Sequence, residues 1–277
     1  MGPLRHSSDH RSVAVVAVTL GWLVGGLWLD GPAWILLVWA WVQFGLSFIG
    51  CVINHNHTHC PTFREGWMNR AFNLALTVAK GHTVQTVVVP HQVNHHPRAG
   101  GEGDWLAVAH AGSGSGAARV ARFVARGVFT MARERRRPGA PQLPVSLARQ
   151  MRQEQLALGL AVAVAVALAG PGRVLLVAVL PWVASMLALV AVNLPQHDGC
   201  DPTDPLRSSR DFTSPLTNWV LFNNGYHTIH HLEPGLHWSQ AAQAHATRVR
   251  PRWSEADRAA HERVSLIEFM LTELSRP

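Results

Sequence analysis

The chain has 277 residues, of which 48% are hydrophobic and 15% charged, and its 24 Lys and Arg against 17 Asp and Glu give a formal charge of +7. A mean hydropathy of only +0.08 means that the apolar residues must be segregated if the chain enters a membrane. No nucleic-acid motif accompanies the positive charge, so it reads as a membrane-surface signal and a nucleic-acid partner is excluded. Cys51, Cys60 and Cys200 show neither C-x-x-C spacing nor an even count, so neither a disulfide framework nor a zinc ribbon is indicated, and a reducing compartment fits.

In chain order, residues 13–29 and 33–53 carry no Asp, Glu, Lys or Arg, and each is close to the roughly 20 residues that cross a bilayer. Arg5 and Arg11 precede the first run, but no small-residue cleavage site leading to a soluble domain follows, so it is read as a membrane helix. A second pair of spans is expected at 153–170 and 174–192, the latter interrupted by Pro181. Of the 24 basic residues, Arg173 alone falls in a turn on the far side of these four spans. Basic residues stay on the cytoplasmic side. Both termini and the parts 54–152 and 193–277 are therefore expected there, in one domain covering 1–277.

The central part is too long to be a plain connector. Ala71, Leu74, Ala75 and Val78 recur at helical spacing and predict an interfacial helix, which Gly81 and His82 break before Val84 to Val89 lead to Pro90. Gly112 to Gly116 reads as a flexible link. From Ala117 to Arg133, arginines 119, 122, 126 and 133 among Val120, Phe123, Val124 and Val128 predict a helix on the bilayer surface. Near the end, Ser254 and Asp257 suit a helix N-terminus, with Val264, Ile267, Met270, Leu271 and Leu274 along one face of the helix that follows.

The placement of the 17 histidines matters more than their number. His55 and His59 follow the second span four residues apart, on one face if that helix continues. His91, His95 and His96 sit between Pro90 and Pro97, which fits a short helix with fixed ends. His227, His230 and His231 have i, i+3, i+4 spacing, and His197 follows the fourth span with Asn193 one turn before it. Neutral imidazole binds iron, copper, nickel or zinc near physiological pH. These clusters exceed the coordination capacity of one ion, so two metals are expected. His57 points away from its neighbours on a helix, and His82, His110, His237 and His245 are isolated; all five are read as ordinary polar residues.

Over residues 53–238 the chain resembles the membrane fatty acid desaturases and their hydroxylase relatives. The first histidine box resembles His55 to His59 in NHNHTHCPTF, the second His91 to His96 in HQVNHHPRAGGEGDW, and the third His227 to His231 in NNGYHTIHHLEPGLHW. The second box departs from the common H-x-x-H-H, reading H-x-x-x-H-H with Gln92 at the alternative position. The resemblance implies an all-α integral membrane protein, with four transmembrane helices and a cytoplasmic helical cap holding a histidine-ligated di-iron site. It implies as ligands His55, His59, His91, His95, His96, His197, His227, His230 and His231, with Asn193 joining through a water. Asp104, in the Gly103-Asp104-Trp105 element, either orients a ligand imidazole or serves an ordinary turn.

Two iron ions would use O2 as co-substrate and two electrons from outside to desaturate an acyl or lipid-like chain, the surroundings of the third box favouring desaturation over hydroxylation. No heme domain, flavin fingerprint or cysteine cluster is visible, so a separate donor is expected, a ferredoxin or a cytochrome b5-like protein with its reductase. A histidine-lined metal transporter would need ionisable groups within the spans, and none is read there.

Overall fold

The computed structural model describes residues 2–114 and 116–275. Ser115 of the expected flexible link and the last two residues lie outside them. The architecture is all-α. Among the described residues four helices are long and apolar enough to cross a membrane, Ser7–Trp28, Ala33–His59, Val145–Ala169 and Pro171–His197. The chain is an integral membrane protein, and side chains such as Trp34 (64% exposed), Trp41 (72%) and Leu156 (75%) point out of the helices where lipid would cover them.

The helices outrun the apolar stretches because polar residues continue a helix until a breaker intervenes. α1 (His10–Trp28) follows a 3-10 turn and ends before Asp30, Gly31 and Pro32. α2 (Ala33–His59) starts directly after Pro32 and carries six polar residues past the end of its apolar run, stopping at Cys60 ahead of Pro61. α3 (Gly66–Lys80) ends on left-handed Gly81 (φ +75°), where a Cβ would sit 2.3 Å from the Trp182 ring, so both conformation and space demand glycine.

α4 (Gly116–Glu134) is followed by α5 (Val145–Ala169), which begins just after Pro144, well before position 153. Nor are the spans free of ionisable groups, even within 153–170: fully buried Glu154 of α5 accepts the Val84 N–H at 2.8 Å. α6 (Pro171–Val174), a π-helical turn Leu175–Val179 and α7 (Leu180–His197) form the last long helix. Pro181 does not interrupt it, because the widened π turn just before absorbs the missing N–H.

Two compact units result, Met1–Val88 with Leu143–Leu189, and Val89–Gln142 with Val190–Pro277. In the first, α1 and α2 are clasped by Trp22 and Trp39, whose rings stack 3.8 Å apart while each indole N–H donates to the other residue's carbonyl at 3.1 Å. α3 is tied to α2 by the Ser47 hydroxyl, 2.9 Å from the Ala79 carbonyl. Leu23, Val174, Ala178 and Trp182 form the apolar centre.

In the second unit, α4 buries Phe123 against Ala111, Val190 and Leu194, and Arg119 makes a paired contact with Asp198 at 2.7 Å. After it come β1 (Asp211–Phe212), α8 (Pro215–Val220), α9 (His227–Leu232) and α10 (Ala241–Ala244). α11 (Glu255–His261) has the expected start, a capping box between Ser254 and Asp257. The single helix read beyond it is broken, since β2 (Glu262–Arg263) leaves to pair in parallel with β1 before α12 (Leu266–Ser275) begins. Val264 therefore lies outside α12, whose Ile267 and Leu271 are exposed; the Leu274 side chain lies outside the described part.

Candidate metal centre

The second unit gathers His95, His197, His227 and His231 so that one ring nitrogen from each lies within 4.8 Å of the others. Each arrives on a different logic. His95 ends a π-helical stretch, Val88–His95, that begins two residues ahead of Pro90. The expected short helix is thus present but starts earlier and is wound wider. His197 is the last residue of α7, and His227 and His231 are one turn apart on α9.

The far side of two of these rings is fixed. His95 Nδ1 donates to Asp104 Oδ2 at 2.7 Å, and His197 Nδ1 donates to the Ser208 carbonyl at 2.8 Å. Both rings therefore carry their proton on Nδ1 and present the Nε2 lone pair inward, the arrangement a metal-bound imidazole adopts. Burial pushes the Asp104 carboxyl up, but His95 and the Leu106 and Gly100 N–H groups outweigh it and hold it below the usual carboxylate range. The two readings of Asp104 are not exclusive, since it accepts from the His95 ring and from the Gly100 and Leu106 N–H groups of the turn. Burial, followed by the neighbouring imidazoles, holds His231 well below its ordinary range, which favours the neutral imidazole.

The spacing also fits an ion. His197 Nε2 lies 3.0 Å and His231 Nε2 3.2 Å from His227 Nε2. Bonds of about 2.1 Å to one metal set neighbouring nitrogens about 3.0 Å apart at right angles and about 3.4 Å apart in a tetrahedron. Asn193 Nδ2 lies 3.3 Å from His95 Nε2, while its buried Oδ1 has no hydrogen-bond partner among the described residues.

The remaining histidines of the unit lie alongside. His91 stacks on His230 with centroids 5.7 Å apart, and His96 Nε2 is 3.0 Å from His91 Nε2. In the first unit, His55 and His59 share a face of the last turns of α2, their rings 5.1 Å apart. His57 is turned away: its Nδ1 accepts the Thr62 N–H at 3.1 Å and meets the Thr62 hydroxyl at 2.9 Å.

Three of the isolated histidines make local contacts. His82 bonds the Lys80 carbonyl at 3.0 Å, and burial beside Lys80 lowers it to about 3. His237 caps a 3-10 turn through Ser239, and His245 lies 2.8 Å from Asp211. What the sequence hides is the support: Ser208 acts through its backbone, and Asp211 sits in DFTSP, a stretch whose spacing announces nothing.

No curated protein compared with the chain matches it. The family described as fatty acid desaturase does, over residues 28–263. That match takes in every histidine of the three boxes together with His197 and Asn193, and the chain belongs to the fatty acid desaturase family.

Proposed function

We propose that the protein is an oxygen-dependent desaturase of an acyl or lipid-like chain. In this reading two iron ions are held by His55, His59, His91, His95, His96, His197, His227, His230 and His231, with Asn193 joining through a water. The observation that supports it most is the buried imidazole set with the Nδ1 atoms of His95 and His197 already engaged. When bound, the irons supply the chemistry by which O2, two external electrons and two protons take two hydrogens from adjacent carbons, leaving an alkene and two waters.

The chain's own residues do the rest. Asp104 and the Ser208 carbonyl hold the protons of His95 and His197 away from the centre. His95, His197 and His227 are at most 3% exposed, which keeps bulk water from a reactive site. The exposed apolar faces of the long helices place the protein where lipid-like substrates dissolve. Electrons come from a separate ferredoxin or cytochrome b5-like partner, drawn to a basic cytoplasmic face that includes Arg122, Arg126 and Arg136. The distribution of basic residues supports an active site on that side.

Expression in a host of known lipid profile, with mass spectrometry of lipids and metal analysis of the purified chain, tests this. Expected are bound iron and a new O2-dependent alkene. An alcohol in its place would identify a hydroxylase, and one zinc with no iron would end the oxygen-activating reading. Turnover on NAD(P)H without a second protein would remove the separate donor, and an extracytoplasmic signal from a reporter fused near Arg137 would reverse the orientation.

A further inference from the structure

α9 has six residues yet carries three histidines. So short a helix has no stability of its own, and its N-cap, Tyr226, supplies no side-chain hydrogen bond. Its buried first-turn donors need an acceptor from outside the helix. Fully buried Asp211, from β1, provides it: Asp211 Oδ1 accepts the Thr228 N–H at 2.7 Å, next to His227. A carboxylate at this end also suits the helix dipole. Ser209 adds a hydroxyl contact to Thr228 at 3.0 Å.

Asp211 is itself fixed. Its Oδ2 lies 2.8 Å from Nδ1 of buried His245, a close polar contact without linear hydrogen-bond geometry. The other face of that ring lies 3.7 Å from Glu262 Oε2, and Glu262 is the register partner of Asp211 in the parallel pair. Next door, the Phe212 N–H donates to the Gly225 carbonyl at 2.8 Å, and Asn218 bridges the Phe212 carbonyl and the Gly225 N–H at 2.8 and 3.1 Å. A Cβ on Gly225 would lie 2.2 Å from the Phe212 carbonyl oxygen, so the segment entering α9 is pressed against β1. Beneath α9, Ile229 is buried with Ala244, Val249 and Trp253.

We infer that Asp211, braced by His245, is the positioning residue of the third histidine cluster, setting where His227 and His231 present their nitrogens. This rests on the reading of the buried imidazoles as a metal site. Asp211 faces His245 and a backbone donor, so it acts through α9 and not as a ligand.

The test uses the full chain in detergent, stripped of metal and titrated with Co(II), reading affinity and the ligand-field absorption bands. Asp211→Asn keeps an acceptor for Thr228 and should keep affinity within about twofold and the bands in place. Asp211→Leu should weaken binding about tenfold, the lower end for losing a partner that orients a ligand, and shift the bands; His245→Leu should fall between. Wild-type affinity and bands in Asp211→Leu overturn the inference alone, and a wild-type chain that binds neither Co(II) nor iron overturns the metal reading with it. If Asp211→Leu does not fold, His245→Leu decides: unchanged affinity and bands there reject the bracing.

Discussion

His55 and His59 ride on the end of a 27-residue helix, whereas His227, His230 and His231 ride on one of six residues. α2 needs nothing special to present its pair, since each residue added to an established helix forms one more hydrogen bond. α9 is assembled from outside, by Asp211 at its start and by the apolar floor under Ile229. The same spacing motif is therefore a local property in one region and a tertiary property in the other. Sensitivity to distant substitutions should follow that division.

The largest expected effect is loss of an imidazole from the set that closes within the second unit. His197→Ala or His231→Ala should abolish product and cut metal affinity by more than the about 100-fold that bounds the loss of a supporting partner, read as bound iron per chain. Retention of a full iron complement by both variants would remove them from the ligand set. Next comes Asp104→Asn, which keeps the side-chain size and replaces the carboxylate that His95 Nδ1 donates to. Affinity should fall about tenfold with protein still in the membrane. An unchanged affinity would reduce Asp104 to the turn it caps through Gly100 and Leu106.

The legible part of this molecule was whatever repeats along the chain. Apolar runs marked four spans, and four-residue spacing put His55 with His59 and turned His57 aside. Helix ends differ from the apolar bounds where polar residues carry α2 to His59 and α5 back to Val145, because hydropathy marks where a helix meets lipid and not where its hydrogen bonds stop. The break at Glu262 was invisible for another reason: a two-residue strand is decided by its partner, Asp211, some fifty positions away. The supports of the site share that invisibility. Asp211 and the Ser208 carbonyl acquire meaning only when the fold brings them to Thr228 and His197.

The smallest effect belongs to His57→Ala, and it tests the local side of the comparison. Two residues from His55 and His59, it lies about 200 degrees around the helix from each, and its ring sits edge-on to Phe72 with centroids 5.2 Å apart. Removing it strands the Thr62 N–H and hydroxyl, in a residue only 2% exposed, which costs about 1–3 kcal/mol for an unmade buried hydrogen bond. Thermal unfolding should therefore shift down while iron content and product stay near wild type, the opposite of the pattern at His59→Ala. A His57→Ala chain that loses iron as His59→Ala does, beside a harmless His55→Ala, would mean that α2 does not present its histidines by helical spacing at all.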